Sequence, residues 1–254
     1  LKRKYGGSVA DIIIHFEKAK TEYSELDLSQ DRLNQLQQEL GKQTTAYEDK
    51  AASLRSRRGQ AAGKLEKALE KELSLLGMKK ARFQIALTTR PLDPDKSDNF
   101  RDNGTEDVEF LLSPNPGEDL KPLRRIASGG ELSRFMLALK SIGKDTDVDK
   151  TLIFDEIDAG IGGKTAEFVA HKLGFLSQKN QVICITHLPQ IASFAQHHYR
   201  IEKSFIKDRT FTTIKELSQE ERIGEIARLL AGSHITETTR QTAQEMLERN
   251  SGKG

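Results

Sequence analysis

Apolar residues in the first third of the chain recur at seven-residue intervals. Leu26, Leu33, Leu40, Tyr47, Leu54, Ala61, Ala68 and Leu75 keep that spacing, and Val9, Ile12, Phe16, Ala19, Tyr23 and Leu26 alternate steps of three and four. This seam predicts a long helix that packs on a partner helix. Gly6-Gly7-Ser8 reads as a turn, with Ser8 as N-cap and Asp11 as its capping partner. One straight helix over residues 9–76 would run about 100 Å at 1.5 Å per residue, too long to be covered by a core of this size. Gln30, Arg58 and Glu72 interrupt the seam, and Gly41, Gly59 and Gly63 lie within it, so breaks or bends are expected. Ser29 can restart the helix as a fresh N-cap, which places a joint near residues 27–30. Two ordinary surface helices are the alternative. No second seam of similar length exists in the chain, so the coil's other strand is expected in another chain or upstream.

From Gly77 the period changes. Ala81–Leu87 and Asp107–Leu112 alternate like two strands, and the stretch from Pro91 to Thr105 between them is rich in Asp, Asn, Pro and Gly, as a long connection would be. After the turn Ser113–Gly117, a helix opens at Ser128-Gly-Gly-Glu131, and Leu132, Phe135, Met136 and Leu139 are expected to form its buried face. Two further apolar runs, Thr151–Phe154 and Gln181–Thr186, read as buried strands. These elements predict an α/β lobe over residues 77–254 beside a coiled-coil arm over residues 1–76.

Composition narrows the picture modestly. Of 254 residues, 31 % are charged and 36 % hydrophobic, which suits a globular part joined to a long solvated helix. The net charge of +2 gives no argument for a nucleic-acid or membrane partner, and no apolar run approaches a membrane span. Cys184, the single cysteine, sits in the run Val182–Ile185 as a small buried hydrophobe, so a disulfide framework is excluded and a reducing cytosol is expected. Because the chain begins at Leu1, a fragment with its N-terminus elsewhere is expected.

Candidate chemistry gathers at the strand ends. Thr151-Leu-Ile-Phe delivers Asp155 and Glu156, and burying two carboxylates without a cation or donors would cost several kcal/mol. The first can hold a metal and the second can take a proton from water. Ser128, Gly129 and Gly130 can present helix N-terminal amides to a phosphate, although a serine-capped helix after a glycine turn uses the same residues. His187 ends the strand beginning at Gln181, where the strand ends of an open α/β sheet converge on a ligand. Arg124, Arg125 and Arg134 flank the Ser128 motif and suit phosphate, DNA or an acidic neighbour equally. A phosphate loop, Gly-x-x-x-x-Gly-Lys-Ser/Thr, is missing: in Asp158-Ala-Gly-Ile-Gly-Gly-Lys164-Thr165 a carboxylate stands where the first glycine is required. That segment reads as a turn near a subunit contact.

Ser128-Gly-Gly-Glu131, Asp155-Glu156, Asp158 and His187 together resemble the signature, Walker B, D-loop and switch-histidine set of ABC-type ATPases. With the coil, and with Leu1-Lys-Arg-Lys-Tyr-Gly6, Asn115-Pro-Gly-Glu118, Ala127–Arg134, Phe154–Gly163, Thr186-His-Leu-Pro-Gln190 and the tail motifs Arg222–Gly232 and Ile235-Thr-Glu-Thr, the chain closely resembles the RecN family of bacterial SMC-like DNA repair proteins over nearly its whole length. The resemblance is to the C-terminal half, with the descending arm. It implies an ATPase head completed by a missing N-terminal half, two heads forming a homodimer around ATP and Mg2+, action on DNA at double-strand breaks, and a cytoplasmic, nucleoid-associated location without a membrane.

Carried over by motif, Asp155 would orient magnesium, Glu156 would activate water and His187 would contact the γ-phosphate. Ser128, Gly129 and Gly130, in the signature that Glu131 completes, would bind nucleotide held by the other head, and Asp158 would bridge the heads. Without the phosphate loop, this polypeptide alone is expected to hydrolyse no ATP. A non-enzymatic coiled-coil scaffold and a cohesin-like or Rad50-like relative are the alternatives.

Overall fold

The computed structural model of the chain describes residues 2–5, 7–93, 96, 100–126, 128–143, 150–206 and 209–250. Leu1, Gly6 and Ala127 of the motifs above lie outside the described residues, as does part of the polar connection after Pro91. The elements are α1 (Lys2–Tyr5), α2 (Val9–Leu75), β1 (Arg82–Thr89), β2 (Glu106–Ser113), β3 (Lys121–Pro122), a 3₁₀ turn at Leu123–Arg125, α3 (Gly129–Ile142), β4 (Thr151–Phe154), α4 (Gly163–Ser177), β5 (Gln181–Cys184), α5 (Pro189–Ala192), β6 (Tyr199–Ile206), β7 (Arg209–Glu216), α6 (Gln219–Ala231) and α7 (Glu237–Asn250). They fall into two compact units. Leu1–Gly59 with Thr88–Asp107 form the first, and Gln60–Leu87 with Val108–Gly254 the second. The dividing point on the helix thus lies at Gly59 and not at residue 76, because its last turns belong to the core of the second unit.

In the first unit α2 opens on the expected capping pair: Ser8 N–H donates to Asp11 Oδ2 at 2.9 Å and Asp11 N–H donates to Ser8 Oγ at 3.2 Å. No joint interrupts the helix at residues 27–30. Ser29 Oγ donates to the carbonyl of Glu25 at 2.7 Å, bonding back along the helix where a cap was expected. Gly41 and Gly59 stay helical, since a lone glycine costs a helix only about 1 kcal/mol. Much of the seam faces solvent, with Leu26 69 % exposed and Leu33 and Leu40 exposed as well. Arg58, which broke the apolar spacing, reaches Glu106 at 3.2 Å, where the carboxylate is fully buried. Tyr47 OH donates to the carbonyl of Arg101 at 3.0 Å and accepts from its N–H at 3.1 Å, while the ring meets Phe100 edge to face. Arg90 pairs with Asp107 through both carboxylate oxygens.

The second unit is built on Leu69, Leu73 and Leu76, all fully buried with Phe83, Leu112, Phe135, Leu137 and Val169. Strand order β1-β2-β3 makes one sheet, and β2 and β3 are antiparallel. Backbone N–H groups of β1 that would otherwise lack acceptors donate to α2: Ile85 to Glu66 Oε1 at 2.7 Å and Phe83 to Glu70 Oε1 at 3.0 Å. β4 and β5 pair in parallel, Thr151 opposite Gln181 through Phe154 opposite Cys184. One face of this pair carries Leu152, Val182 and Cys184 against the core; the other shows Ile153, 67 % exposed, with Ile183 and Ile185. β6 and β7 form a separate antiparallel hairpin with exposed Tyr199, Ile201, Phe205 and Ile214.

One expected face is corrected. In α3 the buried residues are Gly130, Arg134, Phe135, Leu137 and Ala138, and Leu132 and Met136 are exposed. The helix is turned so that Gly130 and Arg134 meet the loop after β4. Since Leu73 packs in the core and Leu33 does not, Leu73→Ala should destabilise the chain by about 2–5 kcal/mol and Leu33→Ala by about 0.5 kcal/mol or less, read from urea unfolding midpoints.

Candidate nucleotide site

The parallel pairing of β4 and β5 sets their C-terminal ends side by side, and Ile185 N–H extends the ladder to the carbonyl of Phe154 at 2.9 Å. Asp155 and Glu156 therefore leave one strand next to the point where Thr186 and His187 leave the other. Both carboxylates and the His187 ring are exposed. Hydrogen bonds to the carboxylate oxygens of Asp155 or Glu156 are absent among the described residues.

Asp158 is the centre of the arrangement. Only 4 % exposed, its Oδ2 accepts from Thr186 Oγ1 at 2.6 Å and from His187 N–H at 2.8 Å, and it lies 2.9 Å from His187 Nδ1. A buried carboxylate needs such donors. The carboxylate favours the proton on Nδ1 and leaves Nε2 as the outward-facing nitrogen. The Asp158 side chain is thus turned inward, where it orients the Thr186–His187 turn.

On the other flank, α3 begins. Ser128 caps it, Oγ accepting from Glu131 N–H at 3.4 Å, and the first helical amides have no intrahelical acceptor. Gly130 sits so close to the loop after β4 that a Cβ there would stand 2.8 Å from the Glu156 carbonyl oxygen and 2.9 Å from Ala159 Cβ. Only glycine fits. At Gly129 a Cβ would lie 2.6 Å from Glu156 Oε2, so the Glu156 carboxylate rests over the positive end of α3. Glu156 itself has φ 54°, making it the one non-glycine residue in the left-handed region among the described residues; such a conformation costs on the order of 1–3 kcal/mol and persists only where surroundings enforce it. Glu131 is half-buried near the start of α3.

Ser133 is a contributor that the sequence did not single out, and Arg134, singled out for other partners, contributes through the backbone of the turn. Ser133 Oγ donates to the Asp155 carbonyl at 2.7 Å, and Arg134 Nη1 donates to the carbonyls of Ala159 at 2.8 Å and Ile157 at 3.3 Å. Arg134 is 8 % exposed, and burial pulls its guanidinium below the ordinary value against the opposing charge of Glu131. Its hydrogen-bond acceptors are backbone carbonyls of the turn after β4. Arg124 pairs with Glu109 at 3.3 Å. Periodicity carried no signal for Ser133 or Arg134, since their acceptors lie more than twenty residues away.

Groups of three or more His, Cys, Asp or Glu able to hold a metal are absent among the described residues. The exposed Asp155 carboxylate is a hard oxygen donor that fits a magnesium ion taking its remaining ligands from phosphates and water.

Family-model comparison finds no match. The chain is 40 % identical over 250 residues to the DNA repair protein RecN of Halalkalibacterium halodurans, covering 98 % of this chain and 43 % of that protein. It is 38 % identical over 257 residues to RecN of Bacillus subtilis, covering 98 % and 45 %, and 40 % identical over 247 residues to RecN of Treponema pallidum, covering 97 % and 43 %. The chain belongs to the RecN family. It corresponds to the C-terminal half, spanning less than half the length of these RecN relatives. Among solved structures, the Smc head domain with a coiled coil and joint derived from Pyrococcus yayanosii aligns with TM-score 0.51 at 18 % identity, over 95 % of this chain and 39 % of that one. The expected fold class, part of an SMC-type head with a coiled-coil arm, is thus the observed one. No helix among the described residues is long and apolar enough to cross a membrane.

Burial, reinforced by Asp158 and Asp155, pushes the Cys184 thiol up to about 12 from 9.0, which lowers its thiolate fraction by about a thousandfold. Alkylation of the native chain at pH 8 should accordingly be slower than that of the unfolded chain by about that factor, followed by mass spectrometry. Removing the donors' acceptor in Asp158→Ala should speed hydrogen exchange at the His187 amide about tenfold or more, measured by NMR against wild type.

Proposed function

We propose that this chain is the C-terminal half of a composite ATPase head serving recombinational repair of DNA double-strand breaks. The observation that carries the reading is the convergence of Asp155, Glu156 and His187 at adjacent parallel strand ends, beside the glycine-rich start of α3. Glu156 is the general base for the attacking water, and Nε2 of His187 faces the γ-phosphate. Asp155 holds magnesium, which when bound supplies charge neutralisation for the phosphates. The loop cradling the nucleotide's own phosphates comes from the N-terminal half of the protein.

Support for a missing half comes from β4 and β5. Parallel sheets are ordinarily covered on both faces, whereas Ile153, Ile183 and Ile185 are exposed on one of theirs. The exposed seam of α2 is read in the same way, as one strand of an antiparallel coil. Ser128, Gly129 and Gly130 serve the nucleotide of a second head, so that turnover requires a homodimer; DNA is the macromolecular partner, and the bacterial cytoplasm at the nucleoid is the location this reading implies.

Turnover should appear when this chain is assembled with the N-terminal half of RecN, rise with linear DNA, and vanish in Glu156→Gln, in Ser128→Arg and in either half alone, all measured by phosphate release. Ser128→Arg places a long cation where the second head's phosphate docks. Demonstrated assembly without turnover would replace this reading with that of a scaffold, and unchanged activity in Ser128→Arg would sink the two-head site.

A further inference from the structure

Every residue around Glu156 is tied down. Ser133 Oγ holds the carbonyl of Asp155 at 2.7 Å, Arg134 Nη1 holds those of Ile157 at 3.3 Å and Ala159 at 2.8 Å, and Asp158 is fixed by Thr186 and His187. Ala159 N–H closes the turn onto the carbonyl of Glu156 at 3.0 Å. Glu156 in their midst has the left-handed backbone that a glutamate adopts only under constraint. Three of these hydrogen bonds originate in α3, from Ser133 and Arg134 in the turn that follows Gly130.

Arg134 has a geometry suited to this work. The two N–H groups of Nη1 point in directions fixed by the planar guanidinium, so this nitrogen is pre-organised to bridge two carbonyls of a tight turn, whereas the more strongly hydrated ammonium of a lysine on its flexible stem is not. Its burial keeps it from phosphate, DNA or solvent. The Gly130 contact removes any slack between helix and turn.

We infer that Ser133 and Arg134 are positioning residues for hydrolysis: by gripping the backbone on both sides of Glu156, they make the signature helix and the general base one rigid body. This rests on the ATPase reading above. A phosphate docking on the first turn of α3 would then bear directly on the carboxylate lying over Gly129, coupling engagement of the second head to placement of the base. Neither side chain touches nucleotide. They act through the peptide groups of Asp155, Ile157 and Ala159.

The test uses this chain joined to the N-terminal half of RecN. In Arg134→Lys, kcat for ATP should fall about tenfold to a hundredfold with KM within about twofold, the signature of a misplaced base with intact binding. Ser133→Ala should lower kcat by a smaller factor, and Ser133→Thr, which keeps the hydroxyl, should restore it. In a Glu156→Gln background, Arg134→Lys should still form the ATP-dependent dimer, seen by size-exclusion chromatography with light scattering. Unchanged kcat in both variants, a raised KM at constant kcat, or loss of that dimer in a folded double variant would overturn the inference. Should Arg134→Lys fail to fold by thermal melting, Ser133→Ala and Ser133→Thr decide the matter. Absence of turnover in the wild type, or its persistence in Glu156→Gln, instead defeats the ATPase reading.

Discussion

The close approach of Gly130 to the Glu156 carbonyl and the Ala159 methyl group sets how α3 sits on the rest of the second unit. Without a side chain at residue 130, α3 approaches the turn closely enough for Ser133 and Arg134 to reach its carbonyls. That approach turns Leu132 and Met136 outward and brings Phe135, Leu137 and Ala138 onto the core. A larger residue would separate helix from turn, and the polar grip and the apolar packing would be lost together, since both depend on the same interaxial spacing.

A second constraint is electrostatic. The turn after β4 carries three carboxylates within four residues, Asp155, Glu156 and Asp158. Their treatment differs. Asp158 is buried, with Thr186 Oγ1 and His187 N–H donating to its Oδ2, while Asp155 and Glu156 remain in solvent. Separating one structural acid from two accessible ones lets the turn be rigid and chemically available at once. Cys184 is held as a neutral thiol by burial and by the charges of Asp158 and Asp155.

Signals of short range were readable in the sequence. The heptads announced α2, the Ser8–Asp11 and Ser128 caps lay where spacing put them, and Thr151–Phe154 was a strand with the expected bounds. What was not readable depends on residues far apart in the chain. The buried face of α3 was misassigned because hydrophobicity cannot announce that a glycine and an arginine point inward. The inward turn of Asp158 depends on Thr186 and His187, 28 and 29 residues away. The anticipated joint at residues 27–30 failed because a serine inside a good helix can bond to the preceding turn, and the β6–β7 hairpin escaped because its alternation is diluted by charged residues on both faces.

In the first unit, the segment Phe100–Asp107 meets α2 at Tyr47, Leu54 and Arg58, along three turns of one side of the helix. A rod held at a single point can spin. Held along a line by a phenol, a glycine contact and a buried ion pair, it resists both rotation about its axis and sliding past the segment. The Arg90 pair with Asp107 closes the same segment at the start of β2. The grip works as a key on a shaft, fixing which side of the helix faces the segment.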